Sequence, residues 1–255
     1  MIRNVGHQRA IAIGLAYIND FDQNFDSVVL MDCDGEDDYR DVFRIIREMS
    51  DETIVFAKRR KRSESLSFRV FYFFYKLFFK FLTGNSIHGG NFSSIPRKLL
   101  VQVVHLGEIW NNYHSGILKS KLKIKYIECD RAKRYKGQSK MNFTSLIIHG
   151  LSAISVFNEN VFVRLTIFSA TLFGMSFFAI LIVLIFKFVL NIASPGWATS
   201  VIGIILVLCT QFLFMFLNFT FINLGSRNKI DFLPVHDYKN FILRVENIKP
   251  NYQVI

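Results

Sequence analysis

The stretch VVLMDCDGEDDY, residues 28–39, decides how the rest of the chain is read. Four apolar residues run directly into five carboxylates within seven positions: Asp32, Asp34, Glu36, Asp37 and Asp38. The run from Asp26 to Met31 is short, β-branched and uninterrupted, the pattern of a strand buried on both faces of a parallel sheet. Ligand sites of open parallel sheets form outside the carboxyl ends of strands, and the acidic cluster begins there. Alternate side chains of a strand share a face, so Asp32 and Asp34 are expected to point one way and Cys33 the other. Two such carboxylates repel unless a cation joins them. A hard divalent ion, Mg²⁺ or Mn²⁺, offsets the repulsion and leaves positions for substrate phosphates. Asp37, Asp38 and Asp41 read instead as charges at the N-terminal end of the following helix.

Outward from this stretch, helix and strand alternate. The opening MIRNVGHQRAIAIGLAYIND places Ala10, Ile13, Gly14 and Tyr17 on one helix face. DVFRIIREM is amphipathic, and TIVFAKRR is a second strand ending in basic residues. That order argues an α/β domain with a mostly parallel sheet, over residues 1–150. The basic run KRRKRSES then leads into SFRVFYFFYKLFFKFLTG, aromatic on almost every face with Arg69, Lys76 and Lys80 spaced along it. It is short for a span and has the composition of a helix lying in the membrane interface near 66–82; a core helix is the other reading. NSIHGGNFSSIPRKLL reads as a glycine-containing turn followed by a helix start. A helix around LGEIWNNYHSGILKS, a strand LKIKYIEC and the loop DRAKRYKGQSKMNF follow, and residues 151–164 form a juxtamembrane helix.

The C-terminal part is different. Leu165–Phe186 and Ser200–Phe221 are almost free of charge. Each is about 22 residues, enough to cross a hydrocarbon core of about 30 Å. Residues 165–224 therefore read as a transmembrane hairpin and 225–255 as a cytoplasmic tail. Lysine and arginine crowd the N-terminal part and recur at Arg227, Lys229, Lys239 and Arg244, which places both termini in the cytoplasm. Cys33, Cys129 and Cys209 have no paired spacing, which suits a reducing compartment. A net charge of +11 in a chain with two spans fits an anionic membrane surface or a phosphorylated substrate better than nucleic acid. Gln211 and Asn218, seven apart on one face, suit interhelical hydrogen bonds, including those of a homo-oligomer. The spans carry no paired charges, which argues against a channel or transporter.

VVLMDCDGEDDYRDV resembles the Asp-x-Asp segment of inverting family-2 glycosyltransferases, and within them the membrane-anchored polyprenyl-phosphate transferases of the dolichyl-phosphate mannose synthase type. RNVGHQRAIAIGL is similar to the Asn-x-Gly helix before their acidic motif. HGGNFSSIPRKLL is similar to their Gly-Asp-Phe…Arg segment, and RAKRYKGQSKMNF to their Arg…Gly-x-Ser-Lys loop. The C-terminal hairpin with Pro195, Gly196 and Trp197 in its turn also fits. The resemblance implies a nucleotide-diphospho-sugar transferase (GT-A-like) domain. The family's opening strand and base-binding loop do not precede Met1, so a truncated domain is expected. It also implies an integral protein of the bacterial inner membrane, which moves a sugar from a nucleotide-diphospho-sugar to undecaprenyl or dolichyl phosphate at the cytoplasmic face.

In that reading Asp32 and Asp34 hold the metal, with Asp34 also catalytic. Asn91 stands where the family often has an aspartate, and an amide cannot take a proton from an acceptor. A lipid phosphate is already a nucleophile at neutral pH, so Asn91 is expected to orient substrate instead. Arg131, Arg134 and Lys140 are expected to bind phosphate, with Gly137 admitting the backbone and Ser139 adding a hydroxyl. The other reading of this loop is a basic collar for anionic lipid heads. Arg97, at a helix start, is a further candidate phosphate ligand. The competing function is an inactive relative that binds lipid or a partner through its hairpin and basic loop.

Overall fold

A computed structural model of the chain describes residues 1–21, 24–59, 66–88, 90–130, 132, 143–190, 196–226 and 232–246. The chain divides into two units, the first formed by Met1–Tyr75, Ile87–Val156 and Asp231–Ile255. In that unit α1 (His7–Asn19) begins at Gly6, whose φ of 80° suits a residue without Cβ. Its inward stripe is Gln8, Ala12, Ile13, Leu15 and Ala16, turned from the face that Ala10, Gly14 and Tyr17 define. After it come β1 (Ser27–Leu30), α2 (Arg40–Arg47), β2 (Ile54–Arg59), α3 (Leu66–Thr83), β3 (Ser93–Pro96) and α4 (Arg97–Val104). A 3₁₀ turn (Gly107–Trp110), α5 (Tyr113–Ser120), β4 (Ile124–Cys129) and α6 (Phe143–Ser155) complete the series.

The four strands form one sheet in the order β1-β3-β2-β4. It is mixed, not mostly parallel as the alternation of helix and strand implies. β2 and β4 are parallel, while β3 runs antiparallel to both β1 and β2. The reason lies in α3. A crossover helix returns the chain to the start of the next parallel strand, whereas here the chain leaves the carboxyl end of β2 and comes back to that same end. The Ala57 N–H donates to the carbonyl of Phe92, just before β3, at 2.9 Å. The following strand can only run the other way.

β3 is the segment SSIP, which by residue preference reads as turn. Its four residues are nonetheless buried. The strand pairs with β1 and β2 on its two sides, and its serine hydroxyls find partners: Ser93 Oγ lies 2.8 Å from the Tyr113 hydroxyl, and Ser94 Oγ donates to Met49 Sδ at 3.1 Å.

Each face of the sheet is covered. Val28, Ile54, Phe56 and Ile95 pack with α1, α4 and α5 side chains, among them Leu15, Leu100, Val103 and Ile117. The opposite face carries Val55, Ala57, Phe92 and Cys129 under Ile45 of α2. Residues of the C-terminal segment pack into the first core. A short helical turn (Pro234–Asp237) and the 3₁₀ turn after it bring in Tyr238, which is 4% exposed and whose hydroxyl donates to Asp20 Oδ2 at 2.7 Å. Phe232 lies against Trp110 at a ring distance of 4.0 Å.

His114 on α5 is 3% exposed and meets the Phe56 ring edge-on at 4.8 Å. Burial, and secondarily the charge of His88, pushes it down to about 4 from 6.5. The folded chain therefore binds fewer protons than the unfolded chain between those values, so stability is full above pH 6.5 and falls as the pH drops toward 4. A displacement of this size corresponds to roughly 3 kcal/mol. The expected result is that His114→Gln has a flatter thermal-midpoint profile than wild type between pH 6.5 and 4. Parallel profiles would contradict this assignment.

The second unit is Lys76–Ser86 with Phe157–Ile230. It holds α7 (Asn158–Phe188) and α8 (Trp197–Ser226), two helices long and apolar enough to cross a membrane, with most side chains exposed. Within α7 the uncharged stretch 165–186 is bracketed by Arg164 and Lys187. Arg164 donates to the carbonyl of Phe81 at 2.9 Å, satisfying a terminal carbonyl of α3 where Gly84 (φ 78°) ends that helix. Asn218 donates to Phe214 O of its own helix at 2.9 Å, so its amide is engaged locally.

Candidate functional site

The carboxyl ends of β1, β2 and β4 meet at one end of the sheet, together with the beginning of β3. This follows from the register: Leu30 faces Ser93, Phe56 faces Ser93, and Arg59 faces Cys129. That end therefore carries the acidic turn, Lys58 and Arg59 at the close of β2, Asn91 before β3, and Asp130 after β4. The acidic turn and the segment after β4 are joined by a main-chain bond, the Ala132 N–H donating to Glu36 O at 3.0 Å. Glu36, Asp37, Asp38, Ala57, Asn91 and Asp130 line a narrow cleft of about 10 Å³, enough for a single water or a bare ion.

β1 ends at Leu30, two residues before Asp32, so strand alternation does not set the directions of Asp32 and Asp34. A turn does, with Gly35 at φ 85°. The carboxylates have separate tasks within it. Asp34 Oδ1 accepts the Glu36 N–H at 3.0 Å, an Asx turn that closes the loop. Asp37, 5% exposed, turns inward, and its Oδ2 accepts the Asp32 N–H at 2.9 Å. Asp38 accepts the Arg40 N–H at the start of α2 and a fork from the Arg40 guanidinium, which holds its carboxyl down to about 2. Asp41 pairs with Arg44, which also donates to Glu128 O at 3.2 Å. Asp38 and Asp41 thus serve the helix start, as their spacing suggests, whereas Asp37 braces the turn. Asp32 is exposed and Asp34 half-buried.

Asn91 is half-buried at the cleft, in the loop before β3. Arg97 is not part of this site. It follows Pro96, which faces Ser27, so it stands at the opposite end of the sheet, with its guanidinium 4.1 Å from the Phe25 ring. Arg131, Arg134, Gly137, Ser139 and Lys140 lie outside the described residues. Their flanking residues, Asp130 and Ala132, sit at the cleft and against the acidic turn. Cys129 ends β4; burial pushes its thiol up to about 11, so it stays protonated at neutral pH.

Gln8 gives no sign of a role in the sequence beyond being a polar residue on the stripe of Ala12 and Leu15. It is 7% exposed and donates from Nε2 to Asn91 Oδ1 at 3.2 Å. Among the described residues no group of three or more His, Cys, Asp or Glu side chains is arranged to hold a metal ion. Mg²⁺ and Mn²⁺ commonly take one or two protein carboxylates and complete their shell with waters and substrate phosphates. No family model matches the chain, and no curated protein matches it.

Proposed function

We propose that the chain is a membrane-anchored transferase, moving a sugar from a nucleotide-diphospho-sugar to a polyprenyl phosphate at the cytoplasmic face of a membrane. One observation carries this reading: the carboxyl ends of three mutually parallel strands bring an acidic turn, Asn91 and the root of the basic 131–142 segment to one cleft. Two helices able to cross a membrane supply the anchor.

In this reading Asp32 and Asp34 would hold a Mg²⁺ or Mn²⁺, which when bound would supply positive charge beside the departing nucleoside diphosphate. The acceptor phosphate attacks the anomeric carbon from the opposite side, the bond to the diphosphate oxygen breaks, and the configuration inverts. The attacking oxygen is already anionic, so no residue need remove a proton. Asn91 orients an oxygen by hydrogen bonding, and Arg131, Arg134 and Lys140, with Gly137 and Ser139, bind phosphate.

The lipid acceptor must reach the site from the bilayer, and α3 suits that surface. Val70, Phe73, Phe74, Leu77, Phe78 and Phe81 are each about half exposed or more and form one helix face. Lys76 and Lys80 lie along its flank, where they meet anionic headgroups.

The test uses the purified full chain in lipid nanodiscs with undecaprenyl or dolichyl phosphate and a panel of radiolabelled uridine- and guanosine-diphospho-sugars. The expected result is label in the lipid phase that requires both the lipid phosphate and Mg²⁺ or Mn²⁺. Lipid-phosphate binding without transfer from any donor would favour the inactive, lipid-binding relative.

A further inference from the structure

A main-chain N–H can only donate, and this fixes the polarity of a chain of side chains that ends at the cleft. The Tyr113 N–H lies 2.6 Å from Gln8 Oε1. The end of the Gln8 amide facing Tyr113 is therefore oxygen, and the other end is the NH₂ group. That group reaches two acceptors, Asn91 Oδ1 at 3.2 Å and His7 Nε2 at 2.9 Å, and has two hydrogens to give. Two consequences follow. His7 Nε2 accepts, so the neutral ring carries its proton on Nδ1. Asn91 turns its oxygen toward Gln8, so its own NH₂ is the end left for the cleft.

The rest of the arrangement holds this in place. Ser93 Oγ donates to the Asn91 carbonyl at 2.9 Å and lies 2.8 Å from the fully buried Tyr113 hydroxyl. The backbone at Asn91 is thus tied to the residue whose N–H sets the polarity. Glu36, Asp37, Asp38 and Asp130, which line the cleft with Asn91, are carboxylates. Ionised carboxylates offer only acceptors, so Asn91 contributes N–H donors to a wall of acceptors.

We infer that Gln8 is a positioning residue, which locks Asn91 as a hydrogen-bond donor so that the cleft receives a phosphoryl oxygen there. This deepens the transferase reading and rests on it for the ligand. A cation on Asp32 and Asp34 would leave other diphosphate oxygens needing donors, and Asn91 supplies one.

Gln8→Glu tests the relay while keeping length and the acceptor for Tyr113. A carboxylate at position 8 has no hydrogen for Asn91 or His7. Asn91 then turns its NH₂ to the introduced carboxylate and presents Oδ1 to the cleft, and His7 Nε2 becomes a donor. Asn91→Asp reaches the same loss of donor with Gln8 intact. The first readout is nitrogen NMR of His7 in the full chain in detergent micelles. The wild type should show the proton on Nδ1, and Gln8→Glu should show it on Nε2 or on both nitrogens. The second is binding of Mn²⁺-pyrophosphate, expected to weaken on the order of tenfold in both variants, as for loss of one hydrogen bond to a charged group. A wild-type His7 protonated on Nε2, or one unchanged by Gln8→Glu, overturns the relay. Pyrophosphate binding that is absent in wild type, or equal in all three proteins, overturns the phosphoryl-oxygen assignment. Absence of sugar transfer with these readouts intact would count against the transferase reading alone.

Discussion

Asp34→Ala is expected to lower lipid-linked sugar formation by about 10²–10³-fold. A bound metal contributes several kcal/mol of charge stabilisation, and each 1.36 kcal/mol is a factor of ten in rate. The alanine variant removes two things at once, the charge and the acceptor of the Glu36 N–H. Asp34→Asn separates them, because its amide oxygen still closes the turn while the charge is gone. Both variants should lose activity alike, with Asp34→Asn keeping the wild-type thermal midpoint. Asp38→Asn is the contrast. That carboxylate is occupied by the Arg40 fork and the start of α2, so its loss should leave transfer within a few-fold of wild type. The assay is initial rate of label transfer with saturating lipid phosphate. Activity retained in Asp34→Asn would remove that residue from the metal role.

The largest effect on stability is expected from Phe56→Ala. Phe56 is fully buried in β2, with β3 on one side and β4 on the other. Its ring meets Tyr113 at 5.7 Å, His114 at 4.8 Å and Tyr126 at 6.1 Å. Truncating such a ring costs about 3–5 kcal/mol, because backbone on both sides prevents the site from collapsing. Against a total of about 5–15 kcal/mol this is a large share, and the thermal midpoint should fall by roughly 10 °C or more. Phe74→Ala, at a ring 60% exposed, removes the same atoms from the outer face of α3 and should leave the midpoint nearly unchanged. Thermal unfolding of both variants in detergent checks this. Equal shifts would mean that the core does not centre on β2.

The two predictions differ in how visible their residues are in the sequence. Phe56 lies in TIVFAKRR, where a β-branched run identifies the buried strand without further information. The acidic turn is equally plain, as are the two long apolar helices, because each departs sharply from average composition. What sequence does not show is where tertiary context overrides local preference. SSIP forms a central strand although serine and proline disfavour one, because pairing to β1 and β2 and the Ser93–Tyr113 hydroxyl contact satisfy its polar groups in the core. Strand direction is hidden with it, since nothing local says that the chain leaves and re-enters the sheet at the same end. Arg97 differs from expectation for the same reason: once β3 is antiparallel, the residue after it stands at the far end. Asp32 and Asp34 do lie near a strand end, but the strand stops at Leu30 and a turn governs them. Gln8 is invisible because its role depends on Tyr113, which is distant in sequence.

The most direct measurement is Mn²⁺ binding to the purified full chain, followed by the loss of the free-ion paramagnetic resonance signal, with and without uridine or guanosine diphosphate. If the turn after β1 receives the ion together with a donor's diphosphate, wild type should take up Mn²⁺ more tightly when one of the nucleotides is present, and Asp32→Ala/Asp34→Ala should show no such gain. Uptake equal in the two proteins, or indifferent to both nucleotides, would contradict that account.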